Sequence, residues 1–333
     1  MNSYQNTAAT KRRFRTESIY PGLGEEIYID DMVFSLLEEQ KRLDAKFLYD
    51  TTGTRLLQEI CLLRDYYPSR TALHVLKNVV IPSLPSYKEL EIITIGPGDN
   101  LKAKHLIMSL HHRSCRHIRY IPVDFSEAAM QISVQPVKDM FNDIEIAPIH
   151  TDLSEPLVLP EAIMPRLFYV FGSSPGQPGD HETLPLLKSL KANMTRDDLL
   201  LVGFDRIKPV HILEKAYNDV KGLVAAFNKN VLSVVNRVAA AGIDQSQFIH
   251  QAFFNSKYSR IELHLKALTD LNLHLRKAGL ILGMCSGESI LTATAKKYSR
   301  NDIEQTAAKA GLTMDNLFSD EKKWYSIAGL KVE

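Results

Sequence analysis

From Leu90 onward, short apolar runs alternate with longer amphipathic stretches, and this rhythm restricts the fold more than any other feature of the chain. Glu91–Ile95 (EIITI), Ile118–Val123, Ile144–Ile149, Leu167–Phe171 and Leu199–Phe204 (LLLVGF) read as strands, with helical patterns between most of them. Strands apolar on both faces and separated by helices suit a parallel sheet covered on both sides, because only a long crossover returns the chain to a parallel neighbour. The expected fold is therefore α/β, a mostly parallel, doubly wound sheet. A helix through Leu101–Leu110 follows the first strand, and Ser126 is placed to cap the helix after the second.

The flanking segments depart from that rhythm. The first 20 or so residues read as a flexible tail, and Asp31–Asp44 has helical spacing. In FLYDTTGTRLLQEICLLRDYYPSRT, from Phe47, Gly53 and Pro68 interrupt any single long helix. Lys208–Asn218 and Gly222–Ala241 read as helices; Phe248–Asn255, Ser259–Leu268 and Leu271–Leu275 read as short strands. That block is either an antiparallel piece beside the main sheet or a second small domain. A helix over Asp302–Ala310 and a strand over Trp324–Leu330 complete the pattern.

Composition narrows the functional classes. A chain of 333 residues can bury one large core or two smaller ones. With 40 Lys+Arg against 39 Asp+Glu, nothing draws it in bulk to nucleic acid or an anionic membrane. HHRSCRHIR, from His111 to Arg119, reads as an isolated basic surface patch. Cys61, Cys115 and Cys285 lie far apart, and the 11 histidines show no HExxH spacing, so neither a disulfide framework nor a metal site is expected. Cys285 reads as buried packing, since no base is signalled beside it. No apolar run approaches the roughly 18 residues of a membrane span, and the polar, basic N-terminus lacks a signal-peptide core, so a cytoplasmic location is expected.

Chemistry is best placed at EIITIGPGDNLK, because ligands of doubly wound sheets sit at the carboxyl ends of the strands. The Gly96–Gly98 turn alone is equally a plain tight turn, and the third glycine of the dinucleotide fingerprint is missing. Asp124 ends the second strand, where a carboxylate can accept hydrogen bonds from a ribose diol. Asp152 follows the third, where it can hold an adenine amino group. Each suits a cap or turn by itself; together and in order they point to a nucleoside cofactor. This is the layout used for S-adenosylmethionine (SAM) in the common methyltransferase fold.

The stretch from Phe47 to Thr71 resembles the N-terminal signature of the histidine Nα-methyltransferase family, which trimethylates histidine towards ergothioneine. VDFS at Val123, FGSSPG at Phe171, AYNDVKGLVAAFNKN at Ala216, RIELHL at Arg260 and SGESI at Ser286 follow in the family's order, so the likeness runs from about Lys46 to the C-terminus. It implies a Rossmann-like class I methyltransferase domain over residues 72–207 plus 298–333. It also implies a smaller α+β substrate-covering domain over 21–71 plus 208–297. By the same resemblance SAM, leaving as S-adenosylhomocysteine (SAH), would lie against Tyr49, Gly96, Lys102, Asp124, Asp152 and Leu153. An amino-acid substrate would meet Tyr66, Gly172, Tyr217 and Gln177, the last replacing the family's Asn. Tyr66 and Tyr217 are the expected catalytic pair, orienting amine and carboxylate; without the family, either reads more simply as a core aromatic.

Departures from the family bear on the substrate. Where the family reads I-x-T-E-N-S-x-K, this chain reads Ile290-Leu291-Thr292-Ala293-Thr294-Ala295-Lys296-Lys297. Ala293 and Ala295 thus replace the Glu and Ser that grip the imidazole, and Leu263 replaces a Met. A site that loses such polar partners loses both affinity and discrimination for a polar ring, so histidine is expected to be a poor substrate. A fungal branch of the family methylates a prenylated tryptophan. The expectation is a SAM-dependent N-methyltransferase of a small amine, most simply the α-amino group of an amino acid with an apolar or aromatic side chain. A side-chain amine or guanidine facing Glu288 is the second reading, and a catalytically degenerate SAM-binding regulatory subunit the third. The expected partner is the small-molecule substrate, with the protein a monomer or homodimer.

Overall fold

The computed structural model describes residues 25–96, 101–113, 115–153, 156–171 and 183–333. The apolar runs form parallel strands: β1 (Glu89–Ile95), β2 (His117–Asp124), the short β3 (Glu145–Ile146) and β4 (Ile149–His150), β5 (Arg166–Val170) and β6 (Leu199–Asp205). Successive side chains of a strand face opposite sides, and both sides are buried here. Ile92, Tyr120, Leu167 and Leu201 pack on one face, against Ala72, Val75, Leu106 and Val134 from three helical segments. Ile93, Val123, Phe168 and Val202 pack on the other, against Leu187 of the Thr183–Lys191 helix and Ile303 of the Arg300–Lys309 helix. Burial on both faces is why these strands are continuously apolar.

Two details of the sheet differ from expectation. Ile144–Ile149 is not one strand: β3 and β4 are separated by Ala147 and Pro148, and proline has no N–H to donate to the ladder. The basic stretch before β2 is only partly surface. Arg113 donates to the Ile81 and Leu84 carbonyls, each at 2.8 Å, and Arg119 pairs with the fully buried Glu91 at 3.0 Å.

A further apolar core gathers the N-terminal helices and the block after β6. Met32, Leu36, Phe47 and Leu48 meet Leu213 of the Val210–Tyr217 helix, and Phe227, Val231 and Val235 of the Leu223–Ala239 helix. Those in turn pack on β7 (Phe248–Asn255) and β8 (Arg260–Ala267); β9 (Leu271–Leu275) and β10 (Leu280–Met284) form a hairpin. β11 (Ser289–Lys296) joins β8 and β7 in an antiparallel sheet of order β11-β8-β7.

The helix expected over Asp31–Asp44 instead spans Glu25–Leu36. After it, the chain runs extended beside β11, where Leu291 N–H donates to Lys41 at 2.8 Å and Leu43 N–H to Leu291 at 2.9 Å. An open strand edge offered these backbone groups partners that a longer helix would have forgone. Gly53 does not break a helix either. It lies in the first turn of the Thr51–Cys61 helix, where a Cβ would come within 1.7 Å of the Leu48 carbonyl oxygen, so glycine is required by close approach. Pro68 sits in the first turn of Tyr67–Val75, where its missing N–H costs nothing.

The last hairpin, β12 (Thr313–Ser319) and β13 (Tyr325–Lys331), returns to the first sheet, β13 running antiparallel to β6. The order is β12-β13-β6-β5-β1-β2-β3, with β4 also on β2. β1, β2 and β5 end in register at Ile95, Val123 and Val170, and the strand order reverses beside β1. This is the doubly wound sheet expected from the sequence, and the reversal is where such sheets hold ligands.

Candidate active site

Gly96 follows β1 with φ +59°, a left-handed conformation, and among the described residues a Cβ built on it would meet nothing within 4 Å. Its N–H donates to the Val123 carbonyl at 2.9 Å, which brings the turn beside the end of β2. The expected partner Gly98 lies outside the described residues. At the end of β2, Asp124 accepts the Ser126 N–H at 2.7 Å. Burial pushes its carboxyl up to about 6, offset in part by the Ser126 N–H, by His150 and by the Phe125 N–H.

Tyr49 reaches this corner from the other core. The Ser126 hydroxyl donates to the Tyr49 carbonyl at 2.8 Å, and the Tyr49 ring stands edge-on to Phe227 at 5.6 Å. Its phenol is pushed up to about 12 by burial, then by the charge of Asp124 and by Cys61. Asp152, beyond β4, is paired with Lys46 at 3.3 Å, and the same ammonium holds Asp31 at 2.7 Å. Leu153 packs, half-buried, on the second face of the main sheet. Lys102 is buried at the start of the Leu101–His112 helix and donates to Ser69 at 3.3 Å.

Tyr66 and Tyr217, 151 positions apart in the chain, meet edge to face with centroids 5.8 Å apart, and both are buried. One stands just before the Tyr67–Val75 helix and the other ends Val210–Tyr217. Leu263 and Ala293 are direct cross-strand partners on β8 and β11, and Ala295 pairs with Ile261. Leu263 and Ala295 belong to the same apolar core as the two tyrosines, with Ala293 packed against it. Gly172 and Gln177 lie outside the described residues. Glu288 is ion-paired with Lys41 and accepts the Cys285 N–H at 3.0 Å, so it is already engaged away from this wall. Cys285, expected to be buried, is exposed.

A buried polar network adjoins the tyrosines and was not singled out from sequence. Tyr67 donates to Asp205 at 2.8 and 3.0 Å. Lys208 pairs with Asp205 and donates to the Tyr67 oxygen at 2.8 Å. Lys297 pairs with Asp205 at 2.8 Å and lies 3.4 Å from the Tyr217 hydroxyl. Burial pushes Lys208 down to about 8 against the opposing pull of Asp205, and pushes the Tyr67 phenol up. The signal was available: Asp205 ends β6 as Asp124 ends β2, and strand-end acids border the ligand edge.

The edge near β1 and β2 suits a nucleoside. Among the described residues nothing crowds Gly96, and Asp124 is a half-buried acceptor for which paired hydroxyls would be good partners. Among the described residues no group of His, Cys, Asp and Glu is placed to hold a metal ion, and no helix is long and apolar enough to cross a membrane.

A family model described as histidine-specific methyltransferase, SAM-dependent, matches residues 29–332. The chain is 29% identical over 291 residues to the histidine N-alpha-methyltransferase of Mycobacterium tuberculosis, covering 87% of this chain and 90% of that one. It is 22% identical over 324 residues to the L-tryptophan methyltransferase trpM of Psilocybe serbica, covering 87% and 88%. Among solved structures it aligns with the CcbJ methyltransferase from Streptomyces caelestis at a TM-score of 0.42 and 9% identity, over 78% and 90% of the two chains.

Proposed function

We propose that this chain, which belongs to the family of SAM-dependent, histidine-specific methyltransferases, methylates the α-amino group of an amino acid other than histidine, one with an apolar or aromatic side chain. The carrying observation is the wall of Leu263, Ala293 and Ala295 around the apolar core shared with Tyr66 and Tyr217. A ring with hydrogen-bonding nitrogens gains nothing from those three side chains, whereas a hydrocarbon or indole surface gains burial. The Psilocybe relative, an L-tryptophan methyltransferase, agrees with an aromatic substrate on this scaffold. The engagement of Glu288 with Lys41 takes away the support for the side-chain amine reading.

When bound, SAM supplies a methyl group already activated by its sulfonium centre. Tyr49, Gly96, Lys102, Asp124, Asp152 and Leu153 are the residues proposed to hold it. Tyr66 and Tyr217 would orient the amino acid, with Gly172 and Gln177 shaping the same end. An α-ammonium has a pKa of about 8 or higher and no lone pair, so the site must favour loss of its proton. Holding the neutral nitrogen in line and excluding water can lower a barrier by on the order of 7–11 kcal/mol in the best intramolecular models. The separate apolar core supports assigning residues 21–71 plus 208–297 to a unit that covers the amine, beside the SAM-holding unit of 72–207 plus 298–333.

Methyl transfer from SAM to a panel of amino acids and amines, histidine and tryptophan included, tests the reading. Aromatic or aliphatic amino acids are expected to exceed histidine in kcat/KM by about a hundredfold, the scale of a site lacking its polar partners. Rapid trimethylation of histidine overturns it.

A further inference from the structure

We propose that His250 is a positioning residue: its neutral imidazole braces the backbone of Tyr217 against Asn228, and protonation of the ring loosens the acceptor side of the site in acid. The inference rests on the methyl-acceptor reading above and adds a regulation of that site. On β7, His250 shares its face with Phe248, Ala252 and Phe254, which belong to or pack on the apolar core, so a half-buried imidazole interrupts an apolar face. Both ring nitrogens are engaged. Nε2 lies 3.0 Å from the Tyr217 carbonyl oxygen, and Nδ1 lies 2.9 Å from the Asn228 amide nitrogen. A carbonyl only accepts and an amide NH2 only donates, so the ring carries its proton on Nε2 and accepts at Nδ1. Neighbours hold Asn228 that way round. Its amide nitrogen also donates to the His264 carbonyl at 3.1 Å, and its oxygen accepts from the Thr292 hydroxyl.

A second proton on His250 would set Nδ1–H against the Asn228 NH2. Turning the amide over would instead set its oxygen against the His264 carbonyl, an equally poor contact. Relief therefore comes from the ring moving off Asn228, and the Tyr217 carbonyl either moves with it or loses its donor. The network reaches both sides of the proposed acceptor wall. Tyr217 ends the Val210–Tyr217 helix at one end; at the other, Thr292 lies beside Ala293 with its hydroxyl 2.9 Å from the Leu263 carbonyl. Burial already lowers the His250 pKa from 6.5, opposed by the Tyr217 carbonyl and Asp219 and reinforced by Lys229. Across the strand its partner is the apolar Leu265, while Glu262 and His264 alternate to the opposite face of β8. Glu214 accepts the Phe254 N–H at 3.0 Å, and Asn218 donates to the Ala252 carbonyl at 2.9 Å, so the helix end keeps a tether to β7 when His250 is charged.

His250→Gln tests the brace, because its amide can donate to Tyr217 and accept from Asn228 but does not titrate. At saturating SAM, kcat/KM for the fastest acceptor of the panel above is measured from about pH 8 to about pH 5 in wild type, His250→Gln and His250→Leu. Taking ratios to His250→Gln cancels the titration of Asp124 and of the substrate ammonium. The wild-type ratio is expected to stay flat above pH 6.5 and to fall at least about twofold by about pH 5, through KM. His250→Leu should lose about tenfold across the range, most of it recovered in His250→Gln. NMR of isotope-labelled tyrosines, with the Tyr217 signal assigned from Tyr217→Phe, reads the same brace without turnover. The Tyr217 signal should titrate with the His250 ring in the wild type and stay fixed in His250→Gln. A flat ratio, or a Tyr217 signal that does not follow His250, overturns the inference. Should His250→Leu fail to fold, the comparison of wild type with His250→Gln stands without it. A Tyr217 signal that titrates in the wild type alone, with no methyl transfer to any panel member, leaves the brace standing and sinks the proposed function instead.

Discussion

If Asp124 holds the ribose as proposed, this one carboxylate ties pH to ligand affinity. Its folded pKa of about 6 lies above the ordinary 3.8, with burial as the largest cause. Between those values the folded protein keeps a proton that the unfolded chain has lost. Its contribution to stability is therefore full below about pH 4 and disappears as pH rises through about 6. Under the proposed role, ligand affinity runs the opposite way, because a ribose diol would donate to the ionised form. SAH should bind about tenfold more weakly at pH 5 than at pH 7 by calorimetry, and Asp124→Asn should flatten the profile. The neighbours to control are His150 and Tyr49, which face the same carboxylate. A flat wild-type profile removes Asp124 from the cofactor site. Across the other wall, Ala293→Glu with Ala295→Ser restores the family's polar pair. Histidine methylation should rise by about tenfold or more, and an unchanged kcat/KM for histidine would show that these positions do not set the substrate. At this scale the sequence showed acids at strand ends, because a strand pattern locates them. It did not single out Tyr67, Lys208 and Lys297, which are unremarkable until three distant elements bring them to Asp205.

At the scale of elements, the Thr51–Cys61 helix depends on what precedes it. Asp50 is its N-cap, accepting the Gly53 N–H at 2.9 Å and the Asn230 amide at 2.7 Å, with Arg237 at 3.2 Å. The cap thus ties this helix to Leu223–Ala239 and fixes the residue next to Tyr49. Asp50→Ala removes the cap and leaves the buried Asn230 amide short of an acceptor. Urea unfolding should show a loss of about 2–3 kcal/mol, with Asp50→Asn recovering most of it. SAH affinity should weaken in the same variant, since Tyr49 loses its anchor; a change under about 0.5 kcal/mol would mean the cap is idle. Elements were legible where burial was symmetric. β1, β2, β5 and β6 are buried on both faces and announced themselves as apolar runs. β11 reads SILTATAK and did not. Its buried Thr292 is satisfied through hydrogen bonds to Asn228 and, at 2.9 Å, the Leu263 carbonyl, which no local pattern reveals. The Asp31–Asp44 expectation failed for a related reason: residues 41–43 have good helical spacing, yet the edge of β11 claims their backbone.

For the whole molecule, the question is whether two packed regions respond to a ligand as one. The Tyr49 carbonyl, from the core built of the N-terminal helices and β7–β11, is held by Ser126 at the end of β2. Lys297, at the end of β11, is held by Asp205 at the end of β6. These two links flank the edge where Gly96 and Asp124 lie, so a cofactor spanning Tyr49 and Asp124 bridges both regions. SAH at about 100 times its Kd should add about 2.7 kcal/mol to unfolding, which for a chain of this size raises Tm by about 4 °C. If both regions grip the cofactor, calorimetry should show one transition moving intact. If only the main sheet does, the scan should split, with the region that includes Tyr66 and Tyr217 melting at its ligand-free temperature. Tyr49→Ala separates the cases further. It removes the second region's hold while sparing Asp124, so it should convert a single shifted transition into two, and an unsplit transition in that variant would place the coupling at Asp205 and Lys297 instead.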